Sequence, residues 1–453
     1  MTRPQPLKLG PFTGGMNIAS DPASLADGEL VDCVNYELDL DGSLVSRPGI
    51  SETVDNSATW TKRIVMIGRA VLAGGTYVIG SNSDGTYAFN GTTWTTIKAG
   101  LQSRIALQYG DNVYIIATAG SAQDGGYWTG AAWTANATQP RGESAVFHKT
   151  RMWVVPGIGQ TGPAAHQLRY SDIIPVGAGA LTWSASNNIP VSQGDGEKLV
   201  DIAIHNDNIM LFKQSSTYVL AYDVSVADGV LRKVNNNIGA STYRCVAQFE
   251  SSIFVYNEGV VYEIQNYDFR SINDKVPFNA IDATPGDAES IFICVVGTRL
   301  LVRYFDYVFV YGLVTKTWSR WDSANASLRS FGPWVEYPSQ VAQFNFPRFY
   351  AGSVTTANEH VFMFIDGYSE DVSEFTAGPV YYDITCSITT KNYDFGDPMH
   401  FKKLKWWGLD GLSVNDVRAV ASPVILSFRT TWADLHSHTW DSLSTGTWDL
   451  PLP

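Results

Sequence analysis

The sequence predicts an all-β fold: a six- or seven-bladed β-propeller with an N-terminal arm and a C-terminal β-sandwich-like domain. Three observations predict it. From about residue 60 onward, short runs alternate apolar and polar residues. Gly, Asn, Asp and Ser break those runs every few positions. An aromatic residue also returns at the same place in a period of 40 to 53 residues. Alternation with period two marks strands with one buried face. A repeat of that length is the length of a four-stranded propeller blade. Helical periodicity is nearly absent.

Bulk composition agrees. The chain has 453 residues, 45% of them hydrophobic, 13% aromatic and only 17% charged, with 40 glycines, which describes a turn-rich globular protein. Its net charge of -13 argues against a surface that grips nucleic acid by neutralising phosphates. That acidity suits solubility, and it is compatible with a conduit whose wall repels DNA. Cys33, Cys245, Cys294 and Cys386 are widely spaced and form no C-x-x-C pair, so buried free thiols and cytosolic synthesis are expected. Residues 1–10 lack the apolar core of a secretory signal, and no stretch approaches 18 uninterrupted apolar residues, so no membrane segment is expected.

Taken in chain order, residues 1–55 read as an arm. Thr13, Gly14 and Gly15 carry turn chemistry, and Ser20, Asp21 and Pro22 look like a helix start followed by Leu30, Cys33 and Val34 at helical spacing. A hairpin then pairs residues 36–40 with 43–47 about an Asp41-Gly42 turn. Residues 56–375 are the propeller. Its first clear unit runs from Gly85 through Tyr87 and Phe89 to an Asn90-Gly91 turn, expected to be type I′, and on to Trp94 and Ile97. Equivalent points follow at Tyr127, Tyr170, Tyr218, Tyr262, Phe309 and Phe362, in steps of 40, 43, 48, 44, 47 and 53 residues. A second strand precedes most of them, at 112–116, 151–155, 208–212, 252–256 and 299–303. One blade cannot bury both its faces, whereas a closed ring buries them all. Closure by a strand taken from either end of the chain fits the same count. A stack of β-sandwiches also shows turns every 8 to 12 residues or so. Recurrence of the aromatic at one place in each period favours the propeller. Residues 376–453 read as strands outside the repeat, at 382–388, 401–407 and 424–430.

No catalytic class finds a motif. Gly157, Gly159 and Gly162 match the dinucleotide fingerprint in letters, but Pro156 and Pro163 flank them and no amphipathic helix follows, so a loop is expected. Asp434, His436 and His438 would share one face of a strand as metal ligands, yet they sit beside a turn-rich segment and read as surface residues. Asp39 and Asp41 resemble part of a calcium loop but lack its later carboxylates, so they read as a hairpin turn. Asp195, Glu197, Glu258, Glu263 and Asp306 offer carboxylates for glycoside hydrolysis, and nothing in their spacing selects a pair. The reading is therefore a protein that is not an enzyme and holds no cofactor or metal. The one basic and aromatic cluster is 401–407: on a strand, Lys403, Lys405 and Trp407 share one face. It reads as a solvated lysine face or, alternatively, a contact with another subunit.

The arm also carries a family resemblance. Gly14-Gly15-Met16-Asn17, Gly28-Glu29, Asn35-Tyr36, Asp41-Gly42-Ser43-Leu44 and Arg47-Pro48-Gly49 resemble the N-terminal pattern of tail proteins of tailed bacteriophages. They are closest to the nozzle or hub proteins of short-tailed phages, and residues 389–396 with Lys402 and Lys403 look like a segment common in such proteins. The resemblance implies a virion structural protein: a homo-oligomeric ring, commonly of six copies, around the DNA ejection channel. It would sit below the portal or head-tail adaptor, serve as a platform for tail fibre or tip proteins, and assemble in the host cytoplasm. DNA would pass through the lumen without specific binding. The resemblance makes Gly14, Gly15, Asn35, Gly42, Arg47 and Pro48 structural, glycines for turns and Arg47 with Pro48 anchoring the hairpin to the propeller; the 401–407 cluster adds Lys403, Lys405 and Trp407 as candidate assembly residues. Similar arms occur in minor tail proteins of long-tailed phages. A carbohydrate-binding tip propeller that stacks sugars on Trp94, Trp133, Trp183 and Trp318 is the alternative from a different class.

Overall fold

In the computed structural model, described residues are 11–391 except 54–59, 61, 158, 176, 178, 224, 282–290, 306, 323–330, 338–347, 354–360, 366–369, 373–380 and 385. Five short strands begin the chain: β1 (Gly15–Met16), β2 (Glu29–Val34), β3 (Tyr36–Leu38), β4 (Leu44–Ser46) and β5 (Gly49–Thr53). Six consecutive antiparallel four-stranded meanders follow, in residues 66–99, 103–135, 144–190, 199–235, 246–271 and 291–321. The seventh sheet has three strands of its own, Phe331–Tyr337, Arg348–Ser353 and Val361–Ile365, and takes β5 as its fourth. The innermost strand of each sheet contacts that of the next around the full circle, Phe331–Tyr337 returning to Met66–Leu72. The fold is a seven-bladed β-propeller, closed by a strand from the front of the chain.

The apolar clusters lie between blades, as ring closure requires. Ile79, Val113 and Trp128 join blades 1 and 2; Trp153, Leu211 and Leu220 join blades 3 and 4; Ile50, Leu301, Trp321 and Phe364 join blades 6 and 7. Val361 of blade 7 packs with Trp60, Val78 and Phe89 against blade 1. With both faces covered, second strands such as Asn208–Lys213 and Ser252–Asn257 are buried almost throughout. They read as continuous apolar runs. Alternation survives on first strands such as Met66–Leu72, while an outermost strand such as Val230–Asn235 is largely exposed.

Every equivalent aromatic predicted from the repeat, from Tyr87 to Phe362, lies on the third strand of its blade. Two expectations are corrected. Leu30, Cys33 and Val34 lie on β2, not on a helix: Asp21 closes a short turn through Ser24, and β2 then pairs in parallel with β1 and antiparallel with Ser387–Thr390. Strand neighbours far away in sequence outweigh a weak local helical signal. Asn90 has no positive φ, so its turn is not type I′; Phe89 pairs with Trp94 across a four-residue loop in which the Asn90 side chain accepts from the Thr92 and Thr93 amides. The described residues beyond 376 attach to the propeller and its arm. Tyr381–Asp383 pairs with Glu370–Val372, a strand in contact with β5, and Ser387–Thr390 pairs with β2. The strands expected at 401–407 and 424–430 lie outside the described residues, as do Asp434, His436 and His438.

Candidate assembly site

The arm does not hang free. It lies on the outer edge of blade 6, whose last strand, Trp318–Trp321, meets β2 in parallel at Arg320 and Val34. Gly15, at φ +69, lies so close that a Cβ there would be 2.7 Å from the Thr317 Cβ. A Cβ on Gly14 would lie 2.5 Å from the Glu29 side chain. These two contacts require glycine. Asn17 donates to Glu29 at 3.1 Å and its side-chain oxygen caps the Ala19 and Ser20 amides. Glu29 also receives Lys275 Nζ at 2.8 Å. Burial alone would raise the Glu29 carboxyl; the bonds from Lys275, the Ala26 amide and Asn17 outweigh it and leave its pKa lowered.

The arm turns into its hairpin at Asn35, in the left-handed region at φ +59. Asn35 donates its amide to the Arg320 carbonyl at 2.8 Å. Its side-chain oxygen accepts from the Asp322 amide at 2.7 Å and from Arg47 Nε at 2.9 Å. Arg47 is only 1% exposed. Its guanidinium also donates to the Pro48 carbonyl at 2.8 Å and, more weakly, to the Asp322 carbonyl at 3.4 Å. Arg47 thus bonds the end of blade 6 on one side and, on the other, the residue that opens the closing strand β5. The fork of a guanidinium suits a site needing several acceptors in fixed directions. A bidentate Arg320–Asp32 pair, with contacts of 3.0 and 2.7 Å, holds β2 to the same edge.

Between these anchors, β3 and β4 pair Tyr36 with Ser46 and Leu38 with Leu44 about the predicted turn. Gly42 sits at φ +79 with its carbonyl accepting from the Phe12 amide at 3.2 Å. The Asp39 and Asp41 carboxylates accept from the Leu40 and Ser43 amides, which is the hairpin reading of that segment. The structure therefore joins Asn35, Arg47 and Pro48 in one clasp between blades 6 and 7, and places Gly14 and Gly15 at close contacts with Glu29 and Thr317 and Gly42 at the hairpin turn against Pro11 and Phe12. Lys403, Lys405 and Trp407 lie outside the described residues.

Sequence reasoning missed a second constellation. Arg104, Glu143, Ser144, Asp201 and Arg244 all stand at the head of an innermost strand or just before it, so the common polarity of the blades brings them to one end of the axis. Arg104 pairs with Glu143 at 3.0 Å and stacks 3.6 Å from the Tyr243 ring centroid. Ser144 donates to Asp201, which is pushed up to about 6 by burial despite bonds from Ser144 and from the Ile202 and Arg244 amides. Two glycines of the fingerprint-like loop pack on this cluster: a Cβ would lie 2.3 Å from Glu143 Oε2 at Gly157 and 2.8 Å from Glu143 Oε1 at Gly159. No nucleotide-type helix follows, only the single 3-10 turn Gly162–His166. The signal that was available is charge recurring at the blade head.

The carboxylates considered for hydrolysis hold structure. Asp195 grips the fully buried Lys213 at 2.7 Å, Glu197 takes Ser215 and Ser216, and Glu263 takes Ser252 and Gln265. Glu258 lends its backbone, its amide donating to Ser241 Oγ at 2.9 Å; Asp306 is outside the described residues. Trp94, Trp183 and Trp318 are 9, 6 and 2% exposed and serve as core, and Trp133 is half-buried. Among the described residues no group of three His, Cys, Asp or Glu is placed to hold a metal, and no helix is long and apolar enough to cross a membrane. Burial pushes the Cys245 thiol up to about 12.

No protein-family model matches the sequence, and no curated protein matches it. Solved structures do match in shape. The WD40 domain of Neurospora crassa Pan2 aligns over 71% of this chain and 95% of its own, with TM-score 0.45 and 9% identity. The extracellular domain of the putative hybrid two component system BT4673 from B. thetaiotaomicron aligns over 70% of this chain at TM-score 0.47 and 10% identity; the alignment covers 39% of that chain. The AfRom2 CNH domain aligns over 68% of this chain and 95% of its own, at TM-score 0.39 and 9% identity.

Proposed function

We propose that this chain is a structural component of a bacteriophage tail. Its propeller would form part of a homo-oligomeric nozzle or hub ring, about six copies around the DNA ejection channel, and offer a platform for fibre or tip proteins. One observation carries the reading. Three of the arm residues that resemble the phage pattern, Asn35, Arg47 and Pro48, meet in one clasp, centred on the buried Arg47, that fastens blade 6 to the strand completing blade 7. A motif whose arginine serves this closure, while Gly14 and Gly15 pack the arm against its own strand and blade 6, fits the structural role that the resemblance implies. The use of Asp195, Glu197 and Glu263 as ties, and the burial of three of the four Trp considered as sugar platforms, take support from the hydrolase and receptor-binding readings.

The test is to locate the chain in particles. Cryo-electron microscopy of virions, with the copies counted, is expected to show a ring on the tail axis. Finding only single copies away from that axis, or no copy in the particle, overturns the proposal.

A further inference from the structure

On the outer wall of the propeller, the β3–β4 hairpin and blade 6 enclose a groove of about 300 Å³ with the Arg299–Glu37 pair, at 2.8 Å, in its lining. That volume is at the lower end of ligand-sized cavities. Leu40, Val45 and Val314 line it while 67, 51 and 54% exposed, and they are three of the six large hydrophobic residues most exposed among those described. Clustering of exposed apolar side chains at one place marks a contact surface, whereas scattered ones do not. Carboxylates edge it: Asp39 lines the groove, Asp41 stands in the adjoining turn, and among the described residues neither is in an ion pair. The chemistry that fits is an apolar anchor flanked by ammonium groups.

The chain itself contains such a stretch, Phe401-Lys402-Lys403-Leu404-Lys405-Trp406-Trp407. The described chain ends beside the groove. Lys391 donates to Asp27. The next residue, Gly28, and the hairpin's Gly42 both lie against Pro11: a Cβ would be 3.2 Å from the Pro11 carbonyl oxygen at Gly28 and 2.6 Å from the Pro11 Cβ at Gly42. The Asp27 anchor and the hairpin turn are therefore neighbours across one proline. Ten residues from Lys391 to Phe401 reach up to about 35 Å when extended.

We propose that this groove is the docking site for the chain's own Phe401–Trp407 stretch, with an indole against Leu40, Val45 and Val314 and the lysines against Asp39 and Asp41. Tryptophan is among the residues enriched as anchors at such contacts. Nothing in this requires the tail reading, so the two stand or fall separately.

Carbodiimide coupling of the full-length chain, followed by peptide mass spectrometry, tests it without a spacer arm. The expected result is an amide between Lys402, Lys403 or Lys405 and Asp39 or Asp41. Its yield should fall at least fivefold in a Leu40→Ser, Val314→Ser double variant whose circular dichroism is unchanged. Because both substituted positions are exposed, the variant keeps its core. The proposal is overturned if those lysines couple only to other carboxylates, if Asp39 and Asp41 couple to Lys8 instead, or if the double variant couples as well as the parent.

Discussion

Replacing Arg47 with alanine should open the propeller at its seam. The side chain is 1% exposed and donates to Asn35, Pro48 and Asp322 at 2.9, 2.8 and 3.4 Å. Truncation removes the Arg47 donor from the Pro48 carbonyl in a buried place, at about 1–3 kcal/mol, while the Asn35 side-chain oxygen keeps the Asp322 amide and loses one bond of about 1 kcal/mol. It also leaves a cavity. The lost hydrogen bonds and the lost packing together make a cost of about 2–4 kcal/mol the expectation here. The loss falls on one seam, since Arg47 leads directly into β5, the strand that completes blade 7. Hydrogen exchange reads it locally: at about 1.4 kcal/mol per tenfold, the amides of Gly49–Thr53 and Val361–Ile365 should exchange at least about twentyfold faster, while Asn208–Lys213 in blade 4 changes little. Arg47→Lys, which keeps the charge but not the fork, should fall between parent and alanine. If Arg47→Ala leaves exchange in those two strands within about threefold of the parent, the clasp is not what closes the ring.

Three further outcomes follow from other parts of the molecule. Asp201, whose carboxyl sits at about 6 when folded and near 3.9 when unfolded, favours folding fully below the lower value and loses that contribution as pH rises through the upper one. Denaturant midpoints measured from pH 4 to 8 should therefore show Asp201→Asn gaining on the parent as pH rises, by about 2–3 kcal/mol at most, and equal gains at all pH values would contradict the assignment. Gly157→Ala combines φ +77 with a Cβ 2.3 Å from Glu143, so a loss of about 2 kcal/mol and a lower thermal midpoint are expected; an unchanged midpoint refutes the close packing. Thr150 is β-branched yet sits at φ +60, so Thr150→Gly should be neutral to stabilising by up to about 1 kcal/mol in urea unfolding, whereas a clear loss would mean that its hydroxyl bond to the Lys149 carbonyl matters more than the strain.

Much of the architecture was legible because its signals are local. Strand alternation, the Asp41-Gly42 hairpin and the third-strand aromatics from Tyr87 to Phe362 each depend on residues within a few positions of one another. The family resemblance named the arm residues and read Arg47 and Pro48 as anchors of the hairpin. It did not name the partner: Arg47 reaches Asp322, 275 positions away, which no short-range pattern encodes. The charged cluster of Arg104, Glu143, Asp201 and Arg244 escaped for the same reason, each member being unremarkable within its own blade.

By itself the amino-acid order determined the repeating unit, its strand phase and its turns, since side-chain periodicity and backbone preferences act over one to ten residues. Only the tertiary structure decided that there are seven blades, that β5 completes the last, and that Glu29–Val34 is a strand. Those outcomes depend on which sheet edge is still unpaired once the other blades have formed, and an open edge accepts whichever distant segment can satisfy its amides and carbonyls.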